Sequence, residues 1–151
     1  MKEGPMKVKE LGHAVIKVRN RERSEQFYGE VLGMKLAARH EQMPMTFYTL
    51  GNHHDLALLE VGEDGPETAD PKAPGLYHLA FCIGDTLDEL REARNELEAA
   101  GVKVFATIDH VVSQSLYLND PDGNGVELYV DGSDIWKTDP QAVAGGAPLE
   151  L

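Results

Sequence analysis

The chain has 151 residues, 42% of them hydrophobic, and a formal net charge of −12. That length suits one domain, or two small modules sharing one core. The acidic balance argues against nucleic acid and against anionic membrane surfaces, because both recruit clustered Lys and Arg. No apolar run approaches the roughly 20 residues that span a bilayer. The opening Met1-Lys2-Glu3-Gly4-Pro5 carries nothing resembling a signal peptide, so a cytoplasmic location is expected. The single Cys82 excludes an intrachain disulfide framework, and its apolar surroundings in sequence predict a packing role.

In chain order, residues 11–18 alternate around His13 and read as a strand. Residues 22–32 read as a helix, with Phe27 and Val31 on one face and Tyr28 and Leu32 on the next. Asn20 is placed to cap it and Gly33 to end it. Strands are predicted at 34–41, 45–50 and 54–61, punctuated by Pro44 and Gly51-Asn52. The stretch from Gly62 to Pro74 is polar and rich in Gly, Pro and Asp, the composition of a linker. Residues 76–83 form the next strand, and Thr86-Leu87-Asp88-Glu89 has capping-box spacing. Leu87, Leu90 and Leu97 then make an apolar helical stripe up to Gly101. Strands follow at 102–107, 112–118 and 125–130, the last two joined by the turn signal Asp120-Pro121-Asp122-Gly123-Asn124-Gly125. The tail from Asp131 reads as mostly irregular, with Trp136 covering a hydrophobic opening or anchored on the outer surface.

The chain therefore repeats itself. Module one spans 9–61, a linker 62–74, module two 75–131, and a C-terminal tail 132–151. The expected fold is α+β: two tandem β-α-β-β-β modules forming a curved mixed sheet around a cleft. Each module opens with a histidine, His13 or His78, in an apolar strand. Setting Tyr48 against Tyr117 puts Leu58 opposite Glu127, so only the second module offers a carboxylate. A lone strand histidine is commonly a hydrogen-bonded core residue, and Glu127 has the alternatives of an arginine partner or an exposed edge. An unpaired buried carboxylate would cost several kcal/mol, roughly, or become neutral. What favours metal ligation is that the three sit at places related by the repeat, the two histidines opening the modules and Glu127 in the last strand.

The duplicated pattern, the strand-opening histidines and the ending Asp120-Pro121-Asp122-Gly123-Asn124-Gly125-Val126-Glu127-Leu128 resemble the vicinal-oxygen-chelate superfamily of glyoxalases, bleomycin-resistance proteins, epimerases and extradiol dioxygenases. The resemblance covers about residues 9–131 and implies a metal-binding cleft with His13, His78 and Glu127 as ligands. A glyoxalase-type site takes a second carboxylate from the first module; two histidines and one carboxylate suit Fe(II), with Mn(II) or another divalent metal as a substitute. Within the superfamily, Asn52-His53-His54-Asp55 is similar to the segment that supplies the acid–base histidine of extradiol dioxygenases, a role that falls on His54. Tyr117, ten residues before Glu127, and His110 match that family's tyrosine and second histidine. The polar-turn reading of His53-His54 and a surface position for His110 stand as the plainer alternatives.

The resemblance implies a ring-cleavage dioxygenase acting on a catechol-like vicinal diol with O2. His54 would move protons, His110 would stabilise developing negative charge on oxygen, and Tyr117 would orient a substrate oxygen. The alternatives are a metal-dependent glyoxalase or isomerase, and an antibiotic-sequestering protein without turnover. Many extradiol enzymes carry two such double modules, and this chain carries one. Exposed sheet edges predict a symmetric homodimer, with exchange of modules between copies left open.

Overall fold

The computed structural model describes residues 6–67 and 70–151. It divides into two compact units, Met1–Gly65 and Pro66–Leu151, each built on its own mixed sheet. Among the described residues no helix is long and apolar enough to cross a membrane.

In the first unit the sheet order is β1-β4-β3-β2. Strand β1 (Ala14–Val18) runs parallel to β4 (Leu56–Glu60). Strand β3 (Met45–Thr49) is antiparallel to β4 and to β2 (Lys35–Arg39). Helix α1 (Arg21–Glu25) starts on Asn20, whose Oδ1 accepts from Arg23 N at 2.9 Å. The helix then widens into a π-helical stretch, Gln26–Val31. There the i, i+4 spacing used to read the segment gives way, and Leu32 N donates to Phe27 O, five residues back. Adjacent Phe27 and Tyr28 both bury. With Ile16, Val18, Tyr48, Leu56 and Leu58 of the sheet they belong to the buried core of this unit. Gly33 ends the helix at φ +70°, a conformation open to glycine without strain.

The second unit has the order β5-β8-β7-β6-β9. Strand β5 (His78–Gly84) runs parallel to β8 (Gly125–Asp131), and β7 (Ser113–Asn119) is antiparallel to β8 and to β6 (Ala106–Asp109). Helix α2 (Leu87–Ala99) begins with the expected reciprocal cap: Glu89 N donates to Thr86 Oγ1 and Thr86 N donates to Glu89 Oε2. Leu90 and Leu97 are buried among Leu116, Leu118, Val126, Leu128 and Val130, the inner-face side chains. Leu87, the third member of the anticipated stripe, is 38% exposed at the first helical position.

Two further expectations change. The strand placed at 102–107 begins only at Ala106, because Val102 N is spent on Leu97 O, closing the helix. The tail is less irregular than its composition suggests. It makes 3₁₀ turns at Asp134–Lys137 and Pro140–Ala144, and Ala147–Pro148 adds a fifth strand, β9, beside β6. Trp136 in the first of these turns is half exposed, with Lys137 Nζ 5.7 Å from its ring centre.

Candidate functional site

Register decides which side chains share a face, since alternate residues of a strand point to opposite sides. In the second unit Tyr117 stands directly opposite Glu127, and Glu127 is the parallel partner of Ala80. The tight turn therefore keeps parity: Tyr117 and Glu127 project from one side of the sheet, as do His78 and Ser115, two residues along their strands. Cys82 belongs to this row as well and is exposed, bonded only weakly to Gly84 O at 3.4 Å. Its parity with His78, away from the helix, sets it outside the core in which the sequence placed it. Gly125 makes the close approach of β5 possible, because a Cβ there would lie 2.5 Å from Tyr77 O and 3.0 Å from His78 Cβ.

Glu127 is 8% exposed, with each carboxylate oxygen engaged. His78 Nε2 lies 2.9 Å from Oε2, and the fully buried Ser115 Oγ donates to Oε1 at 2.6 Å. An imidazole nitrogen and a carboxylate oxygen bound side by side to one divalent ion, each at roughly 2.1 Å, stand about 3 Å apart. The His78–Glu127 pair thus fits two neighbouring ligands of a metal, and Ser115 is the kind of outer partner that holds such a carboxylate in place. Among the described residues no group of three or more His, Cys, Asp or Glu side chains is placed to hold a metal ion.

Tyr117 lies beside this pair, its ring centre 5.7 Å from that of His78. Its hydroxyl meets His110 Nε2 at 2.8 Å, and His110 Nδ1 meets the Gly145 carbonyl at 2.8 Å. Burial, reinforced by the negative charge of Glu127, pushes the Tyr117 phenol up to about 12. His110 follows β6 next to Val111, which holds φ +70°, and is half-buried by these contacts.

In the first unit three imidazoles cluster. The rings of His13 and His54 are 4.1 Å apart, those of His53 and His54 4.7 Å, and the two Nδ1 atoms of His53 and His54 meet at 2.8 Å. Phe47 packs edge-on to His54 at 5.3 Å. The His54 imidazole titrates below its ordinary 6.5, through desolvation first and then the proximity of His13 and His53. That environment favours a neutral ring able to accept a proton.

The repeat alignment shifts by one residue. His78 pairs with Gly125, two residues before Glu127; His13 precedes the Ala14–Leu56 pair, which brings Ala57, not Leu58, to the place of Glu127. Aligning Tyr48 with Tyr117 misleads because Tyr48 points into the core, 2% exposed, whereas Tyr117 points to the opposite kind of face. The residue matching Tyr117 is Phe47, cross-strand partner of Ala57. The chemical conclusion survives, since alanine binds metal no better than leucine. Two partners escaped the sequence. Ser115 carried a usable signal, two residues before Tyr117 on the same face; Gly145 contributes a backbone carbonyl, which no residue type announces.

A duplicated β-α-β-β-β scaffold with a histidine opening each module defines a class. The chain belongs to the Glyoxalase/Bleomycin resistance protein/Dioxygenase superfamily, which matches residues 10–128. It is 35% identical over 121 residues to a catechol-2,3-dioxygenase of Bacillus subtilis (strain 168), a match covering 80% of this chain and 41% of that protein. It is 34% identical over 125 residues to biphenyl-2,3-diol 1,2-dioxygenase 3 of Rhodococcus globerulus, covering 80% and 63%. A probable lactoylglutathione lyase of Synechocystis sp. (strain ATCC 27184 / PCC 6803 / Kazusa) is 25% identical over 125 residues, covering 78% and 92%. The chain thus spans about two fifths to just over three fifths of the dioxygenases' length. Its fold matches the crystal structure of a glyoxalase/dioxygenase from Nostoc punctiforme at a TM-score of 0.69 and 20% identity, over 88% of this chain and 98% of that one.

Proposed function

We propose that this chain carries a divalent-metal-dependent ring-cleaving site for a catechol-like vicinal diol, with O2 as co-substrate and Fe(II) as the metal. The observation that carries the reading is the row His78–Glu127–Tyr117–His110, an imidazole–carboxylate pair flanked by a phenol that is itself bonded to a second imidazole. His78 and Glu127 supply two ligands, and His13 is the third ligand that the family resemblance implies. Ala57 at the position matching Glu127 supports an open coordination set over the four-ligand glyoxalase type. When bound, the metal would hold diol and O2 together and carry electrons between them.

The chain's own groups do the proton work. His54, kept neutral by desolvation and by neighbouring imidazoles, takes a proton from a diol hydroxyl and later returns it. Tyr117 orients a substrate oxygen, and His110 holds the Tyr117 hydroxyl in place. Both oxygen atoms of O2 enter the product as one ring carbon–carbon bond beside the diol breaks, giving a semialdehyde acid. The relatives named for catechol and biphenyl-diol oxidation, at 34–35% identity, support this reading. The lyase relative, matched over 92% of its length, supports a metal-dependent isomerase as the second reading.

The test is anaerobic loading with Fe(II) followed by catechol in air. Ring cleavage consumes one O2 per catechol and yields a yellow product. Turnover of a glutathione hemithioacetal without O2 uptake, and no change in catechol, would establish the second reading instead.

A further inference from the structure

The segment after the second module is tied to His110. Strand β9 pairs with Ile108 and Asp109 of β6. One residue on, Leu149 N donates to Thr107 O at 3.1 Å, and Thr107 Oγ1 donates to Leu149 O at 2.6 Å. Just before β9, the Gly145 carbonyl lies 2.8 Å from His110 Nδ1. Gly146 lies against the same ring, where a Cβ would come 3.5 Å from Nδ1. On the far side of the imidazole, Nε2 is 2.8 Å from Tyr117 Oη.

The chemistry of these contacts fixes their polarity. A carbonyl oxygen has lone pairs and no proton, so Nδ1 is the donor to Gly145. A neutral imidazole protonated on Nδ1 has a bare Nε2, which can only accept. With Nε2 bare, the Tyr117 hydroxyl gives its one proton to His110 and not to the neighbouring Glu127 carboxylate, and Oη, which the Ser115 hydroxyl also reaches, keeps lone-pair capacity toward a ligand. In the other tautomer Nε2–H would donate to Oη and release the phenol proton toward Glu127 or a ligand.

The geometry points to Gly145 as a positioning residue: the C-terminal segment holds His110 as the Nδ1–H tautomer and so makes Tyr117 a hydrogen-bond acceptor toward the ligand. Such a site selects a ligand that presents a hydroxyl proton there over one that presents an oxyanion or an ether oxygen. The naming of that ligand as a diol with one hydroxyl still protonated rests on the ring-cleavage reading; the tautomer does not.

Imidazole ¹⁵N spectra of the full-length protein, as isolated and after chelation, read the tautomer directly, with His110 assigned from its loss in His110→Asn. The expected result is a protonated Nδ1 and a bare Nε2. Two variants release the tail: a chain ending at Ala144, and Thr107→Val, which removes one tail bond and leaves Gly145 and His110 unaltered. Both should move His110 toward a protonated Nε2, the truncation further. Equilibrium binding of catechol over 2-methoxyphenol should lose about tenfold of its preference, the weight of one hydrogen bond. A bare Nδ1 in the full-length protein overturns the proposal. So does an unchanged tautomer in Thr107→Val together with an unchanged tautomer in a folded truncation. The expected tautomer with no binding of catechol would overturn the ring-cleavage reading and leave the role of the tail intact.

Discussion

Replacing Ser115 by alanine removes one oxygen from a fully buried position and leaves the backbone ladder untouched. That oxygen donates to Glu127 Oε1 at 2.6 Å, while His78 Nε2 holds Oε2 at 2.9 Å. A hydrogen bond to a buried carboxylate contributes about 1.5–3 kcal/mol, so the metal-free variant should lose ~2 kcal/mol of stability. For a chain of this size that lowers Tm by about 4–8 °C. Losing an outer partner of a metal-bound carboxylate costs about 10–100-fold in metal affinity. Differential scanning calorimetry reads the first quantity; Fe(II) titration against a competing chelator reads the second. A lower Tm with unchanged metal affinity would refute the reasoning, since Ser115 would then be supporting a carboxylate that holds no metal.

Other consequences follow from the same contacts. His54→Phe should retain bound Fe(II) and lose about 10²–10⁴-fold in kcat, the usual weight of a general acid–base group; unchanged O2 uptake would remove His54 from the proton transfer. Glu25 titrates below its ordinary 4.5, chiefly through its hydrogen bonds with the Arg39 guanidinium, Nε at 3.0 Å and Nη2 at 2.9 Å. Its stabilising contribution is therefore present above about pH 4.5 and lost as pH falls through the lowered value. Glu25→Gln should flatten the acid limb of a stability–pH curve, and an unaltered limb would contradict the assignment. The Tyr117 phenol, raised to about 12, favours folding fully below the ordinary 10.0, and that contribution disappears as pH rises to about 12. Phenolate absorbance should show a transition near pH 12 that Tyr117→Phe abolishes; its persistence in that variant would assign it to another tyrosine.

The strands were legible because alternation and turn chemistry agree. Asp120 accepts from Asp122 N and Asn124 N, so a polar tight turn was written into the sequence, and the capping box at Thr86 likewise. The spacing of Tyr117 and Glu127 left their relative side open, and a parity-preserving turn resolved it. Other features follow from packing that a one-dimensional pattern does not encode. The π-helical widening at Gln26–Val31 carries no signal in residue spacing. Tyr48 and Tyr117 look equivalent as letters yet face opposite kinds of surroundings, which moved the repeat alignment from Leu58 to Ala57. The tail joined the sheet through backbone groups, and Gly145 reaches His110 with a carbonyl that every residue possesses.

Iron stoichiometry measured on the wild-type chain and on Glu127→Ala after anaerobic loading tests the account most directly. One Fe(II) per site is expected in the wild type, with O2 uptake on catechol, and both should be lost in the variant. Stoichiometric Fe(II) in Glu127→Ala, or none in the wild type, would contradict the assignment of the His78–Glu127 pair as metal ligands.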